Sequence, residues 1–278
     1  MDHPWLSIRM IIASTVLLLA YSVISLFLFV SGGVWVAVLG TVIFVGLQYL
    51  MTIKFAMWST DAEPIPEEHY SDLHRRADEL AEDMEISRPT LYFGDTDTPN
   101  AMALGRRGNG HVFISPELFD MMSNDELECI LGHEFAHLRN RDSVITSLGI
   151  SLSTFLSSGL LIAFWVASLD SENPALVRLV GTAVSAIVHL FLLLFVRLIS
   201  RHREFVADAD AVRFTNKPEA MANALSKLEA EFSREGAQQV STSLSALCIA
   251  GGRRGLFAKL LSTHPDMEKR ILRVVEMQ

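Results

Sequence analysis

Cysteine is nearly absent from this chain, with Cys129 and Cys248 alone among 278 residues. Two are too few for a disulfide scaffold, and thiols facing a cytosol stay reduced. Internal repeats and low-complexity tracts are also missing, so nothing marks a solenoid. Lysine does not occur between Ser59 and Leu131, where seventeen Asp or Glu stand against five Arg. That stretch accounts for the net charge of -9. Such acidity excludes nucleic acid as a partner and suits a salty cytosol. Charge of either sign is missing from Val144 to Leu169.

What is present in excess is apolar surface. The chain is 50% hydrophobic with a mean hydropathy of +0.31, more than a soluble domain of this size needs. Four segments are long and apolar enough to span a bilayer: Met10 to Val30, Val34 to Ile53, Val144 to Leu169 and Leu179 to Val196. The first two are parted only by Ser31, Gly32 and Gly33 and read as a tight hairpin. The first lacks an A-x-A-like exit and runs straight into the second, so it reads as an anchor and not as a cleaved signal. Arg9, Lys54, Arg139, Arg141, Arg197, Arg201 and Arg203 flank one side of these spans, whereas Arg178 is the basic residue of the other. The positive-inside rule then puts both termini in the cytoplasm, at a plasma membrane.

Between the second and third spans, "PIPEEHYSDLHRRADELAEDME" predicts an amphipathic helix, and "RPTLYFG", "NAMALG" and "HVFIS" predict short strands. The expected architecture is mainly α and integral to the membrane, with four transmembrane helices and a cytosolic α+β domain holding a small sheet. Residues 1–57 form the first hairpin, 58–143 the first part of the soluble domain, 144–199 the second pair of spans, and 200–278 the second part. The last strands offer an edge on which an extended peptide can lie.

The stretch "ILGHEFAHLRN" carries the chemistry. Ser123 and Glu126 form a capping-box pattern ahead of it, and Leu127, Ile130, Leu131, Phe135 and Leu138 recur near helical spacing. On a helix, His133 and His137 lie one turn apart and direct their rings at one point, with Glu134 beside them. Two imidazoles suit Zn²⁺ at about 2.0–2.1 Å, and a free carboxylate there can take a proton from an activated water. Cys129, a turn away, reads as a buried thiol.

One protein ligand is left to find among His189, His202, Glu204 and His264. The compact HExxHxxGxxH pattern is excluded, because Asn140 and Ser143 occupy the Gly and third His positions. His189 falls within a span and reads as a polar contact between helices. In "SRHREFVADADAV", Glu204 and Asp208 share a helix face, so one carboxylate can ligate while the other orients a ligand histidine. A charged helix leaving the membrane would show the same pattern.

Taken in order, "TPNAMALG", "GHEFAH", "SRHREFVADADA" and "STHPDMEKRI" resemble the HtpX-type integral membrane zinc metalloproteases, across essentially the whole chain. The resemblance implies a gluzincin-like site: one Zn²⁺ on His133, His137 and Glu204, Glu134 as catalytic base, and Asp208 behind the ligands. It also implies Asn100 and Ala101 beside the substrate cleft, and His264 and Arg270 as catalytic groups near the oxyanion. The implied role is cleavage of misfolded or damaged membrane proteins, in quality control under stress. Related prenyl-protein endopeptidases offer an alternative, although four spans are few for a large intramembrane chamber. A non-catalytic zinc-stabilised scaffold is a further alternative, and it would not need Glu134. His137 precedes Val144 by seven residues and Glu204 follows Val196 by eight. At about 1.5 Å per helical residue, a metal on these ligands is expected at the cytoplasmic headgroup layer.

Overall fold

Pro64 and Pro66 delay the first helix. The predicted helix was to start at Pro64; in the computed structural model Glu63–Pro64 is instead a short strand, β1, and α1 runs Ser71–Asp83. Proline supplies no backbone N–H, which suits a sheet edge better than a helix interior, and the intervening Ile65 donates its N–H to Leu91. The structure describes residues 54–94, 99–243 and 267–277, with positions 39, 40, 43, 46, 47 and 51; for 232–243 the description is of the backbone. The first predicted span, most of the second, Cys248, His264 and Pro265 lie outside the described residues.

The three predicted strands form as β2 (Thr90–Phe93), β3 (Ala101–Arg106) and β4 (Asn109–Ile114). Sheet order is β1-β2-β4-β3, with β4 parallel to β2 and antiparallel to β3, which is an edge. The β3–β4 hairpin turns through Arg107 and Gly108, and Gly105 enters it at φ 117. A Cβ at Gly105 would stand 2.2 Å from the Asn109 carbonyl oxygen, so only glycine fits this turn.

After α2 (Pro116–Met121), the helix α3 spans Asn124–Asn140. Its capping box is complete: the Glu126 N–H donates to Ser123 Oγ, and the Ser123 N–H donates to Glu126 Oε2 at 2.7 Å. Such caps contribute about 0.5–2 kcal/mol. Following it come α4 (Asp142–Ala167), α5 (Pro174–Thr215), α6 (Pro218–Ser243) and α7 (Met267–Val275).

The chain divides into two compact units, residues 1–59 with 144–196 and residues 60–143 with 197–278. In the first, α4 and α5 are, among the described residues, the helices long and apolar enough to cross a membrane. Leu152, Leu156, Ile187 and Phe191 are exposed there, as a lipid-facing surface requires. These helices approach closely where Gly149 meets Val196 and Gly181 meets Phe164. His189 Nδ1 lies 3.2 Å from the hydroxyls of both Ser153 and Ser157.

In the second unit, α3 separates two cores. On one side Leu127, Ile130, Leu131, Phe135 and Leu138 pack with Leu73, Ala77 and Leu80 of α1 and with Leu91, Val112 and Ile114 of the sheet. On the other, Cys129 packs with Ala211, Met221, Leu225 and Val274. A helix buried on both sides cannot rotate or slide without opening one core.

Candidate active site

Small residues set the site's dimensions. Gly132 lies so close to α5 that a Cβ there would be 3.3 Å from Ala211 Cα, and Ala136, Ala207 and Ala211 are fully buried. Backbones that approach this closely bring the side chains next to Gly132 and Ala207 within reach of one another. The result is a convergence of three candidate ligand atoms. Among the described residues, His133, His137 and Glu204 each present one within 4.8 Å of the others. The two Nε2 atoms are 3.1 Å apart, and the Glu204 oxygens lie 3.7 Å from that of His133 and 3.5 Å from that of His137.

The opposite ring nitrogens are both engaged by carboxylates. His137 Nδ1 is 2.8 Å from Asp142 Oδ2. His133 Nδ1 is 2.9 Å from Asp208 Oδ1, an ion-pair distance whose angle falls short of a hydrogen bond. A carboxylate at Nδ1 holds the proton there and leaves Nε2 as an acceptor. Two acceptor nitrogens and a carboxylate that face one another repel unless a cation sits among them, so this donor set fits a metal ion. The same field acts on His137. Burial pulls its pKa down, but Asp142, Glu134 and Glu204 outweigh burial and raise it above the ordinary histidine range.

Glu134 is buried in the same helical turn. Asp208 is buried too, which favours its neutral form, yet His133 and Arg270 hold its carboxyl below the usual range. Arg270 is 4% exposed and donates to both Asp208 oxygens, at 2.6 and 2.7 Å, with a third nitrogen 3.2 Å from Glu204. The guanidinium thus lies against two of the carboxylates of α5, Glu204 and Asp208. His202 is exposed. The Cys129 sulfur contacts the Thr215 hydroxyl and the Lys217 carbonyl, and burial pushes its thiol up to about 11, which makes it inert.

Asn100 and Ala101 lead into β3. Asn100 exchanges backbone contacts with Ser115: its N–H donates to Ser115 Oγ and its carbonyl accepts from the Ser115 N–H. The hairpin is fastened to α3 where Arg107 donates to the Arg139 carbonyl and where Gly110 lies under Leu138. Ser143 also donates to the Ala103 carbonyl. An edge strand therefore runs beside the helix that carries His133 and His137.

The sequence does not mark Asp142, and it marks Arg203, which donates to Asp142 at 2.6 Å, as a basic residue flanking a span and not as part of the site. The signal available was the acid five places after His137 in "HLRNRD", a spacing that means nothing on an unbroken helix.

The profile of peptidase family M48 matches residues 67–278. A protease HtpX homolog of Halobacterium salinarum is 35% identical over 260 residues, covering 86% of this chain and 89% of that protein. One from Pyrococcus abyssi is 31% identical, covering 89% and 95%. The crystal structure of S. mikatae Ste24p superposes with a TM-score of 0.66 at 17% identity. The match takes in 97% of this chain and spans 64% of the length of that one.

Proposed function

The chain belongs to peptidase family M48 and is a membrane-bound metalloprotease, and from that premise we propose that it is a zinc endopeptidase cleaving misfolded or damaged membrane proteins at the cytoplasmic face. As a member of the family it uses a metal and acts on polypeptides. The observation that supports the proposal best is the convergence of His133, His137 and Glu204, with Glu134 on the helix α3 that carries both histidines. A structural zinc site would be closed by a fourth protein ligand and would not need a neighbouring base.

His133, His137 and Glu204 would hold the ion. When bound, zinc supplies a Lewis acid that polarises a carbonyl and makes a nearby water acidic. Glu134 takes the proton of the attacking water while the water oxygen bonds to the carbonyl carbon; as the C–N bond breaks, the same carboxyl gives that proton to the leaving amine. Asp208 braces His133, and Arg270 balances the charge of Asp208 and Glu204. A place near the oxyanion for His264 and Arg270 rests on the family resemblance. An extended substrate adds beside β3 near Asn100 and Ala101, where its main chain hydrogen-bonds to edge groups other than the Ala103 carbonyl that Ser143 takes.

The flanking Arg and Lys residues support a multi-pass arrangement with the protease domain and both termini cytoplasmic. To test the reading, a cleavable segment is moved along a flexible cytosolic tail of a membrane-anchored substrate, with a soluble copy as control. Cleavage should fall as the segment leaves the bilayer and cease with a zinc chelator. Chelator-insensitive cleavage would overturn the chemistry, and indifference to distance would overturn the placement.

A further inference from the structure

Each ligand histidine is backed by an acid, and each acid by an arginine. On one side the order is His133, Asp208, Arg270; on the other it is His137, Asp142, Arg203. The second arm depends on a break in the helix. Residue 142 lies five places beyond His137, and on a continuing helix five residues turn the side chain about 140° away. Here α3 ends at Asn140, Arg141 takes the left-handed conformation (φ 57), and α4 starts at Asp142. That one residue swings Asp142 back onto His137.

Asp142 is 8% exposed, and a buried carboxylate needs partners for its charge. It has two, one on each oxygen: His137 Nδ1 at Oδ2, 2.8 Å, and the Arg203 guanidinium at Oδ1, 2.6 Å. Asp142 also begins a helix, where a negative charge is favoured. An ion pair serving only to start α4 would need Arg203 and not the ring nitrogen of a ligand.

We propose that Asp142, held in place by Arg203, is the positioning residue for His137: it keeps the ring proton on Nδ1 and aims Nε2 at the point shared with His133 and Glu204. The proposal rests on reading those three residues as the zinc ligands. Loss of the acid leaves His137 free to turn and to change tautomer. Losing the arginine leaves the acid free to turn toward solvent.

The test uses the full chain in detergent, with zinc affinity measured by competition against a chromophoric chelator and the site geometry read from the visible spectrum of the Co²⁺-loaded protein. Asp142→Ala should weaken zinc by about 10–100-fold and shift the Co²⁺ bands. Arg203→Met should do so in the same sense but less, and should add little in the Asp142→Ala background. Asp125→Ala, which removes an exposed acid paired with Lys217, should match the parent. If Glu204→Ala binds zinc as the parent does, the ligand assignment itself fails. If Glu204→Ala loses zinc while Asp142→Ala keeps parental affinity and spectrum, the ligands stand and the positioning role is overturned. Should Asp142→Ala show no folded apo form, Arg203→Met decides by the same two readouts.

Discussion

Glu204 and Asp208, one turn apart on α5, meet His133 at its two ring nitrogens: Glu204 Oε2 lies 3.7 Å from Nε2 and Asp208 Oδ1 2.9 Å from Nδ1. Both carboxylates also touch Arg270. One turn of helix thus brings a candidate ligand and a brace for a second candidate ligand to a single imidazole, and Arg270 of α7 supplies their shared counter-charge. The spacing that makes this work is the i, i+4 spacing that also pairs His133 with His137.

The catalytic assignment separates metal from turnover. Glu134→Gln leaves His133, His137 and Glu204 untouched, so zinc content should equal the parent's while cleavage falls by about 10²–10⁴-fold, the range for loss of a general base. Metal analysis beside a peptide-cleavage assay checks this, and equal cleavage by both proteins would refute the role.

Ligand identity is tested by three further changes. Glu204→Ala should strip most of the zinc, and His189→Ala, whose ring contacts Ser153 and Ser157, should strip none. His202→Ala should behave like the parent. Metal stripped by His189→Ala would mean that the third ligand has been misassigned.

The α3–α5 crossing tolerates no added bulk. A side chain at Gly132 has to pass Ala211 and Thr215, which are 3.3–3.4 Å from the first carbon. Gly132→Leu should therefore cost about 1–3 kcal/mol of stability and lower zinc affinity, because it pushes Glu204 away from the histidines. Thermal midpoints with and without zinc measure both effects; a parental zinc-induced shift in the variant would contradict the second.

The α3 cap predicts a pH dependence. Burial would raise the Glu126 carboxyl, but Lys227 and Ser123 outweigh burial and hold it below the usual range. A depressed pKa in the folded state means stability that is fully present above about 4.3, the value for a free glutamate, and lost as pH falls through the folded value. The gap in thermal midpoint between the parent and Glu126→Gln should thus stay constant from pH 7 to about 5 and narrow below about 4.3. A gap that widens in acid would show the opposite sign.

Much of this was legible in local sequence. The capping box, the apolar spacing of α3 and the three strands need only neighbours within a few residues, and each stands where its pattern put it. The start of α1 did not, because Ile65 is claimed by Leu91, a partner 26 residues away. Asp142 was illegible for a related reason. Its contact with His137 requires Arg141 to adopt a backbone conformation that arginine seldom takes, and nothing in "RNRD" announces it. The parallel pairing of β2 with β4 is likewise set by tertiary packing, with β3 between them in sequence and at the edge in space.

The left-handed Arg141 has one more consequence, for how such a gene can change. Between His137 and Asp142 the chain works as a ruler of fixed length. Inserting or deleting one codon there would turn Asp142 by about 100° around its helix, while every residue kept its chemical identity. Substitutions at Leu138 or Arg139 can drift within what packing tolerates. Changes of length cannot, so this five-residue interval should be the same in working descendants of this chain even where its letters differ.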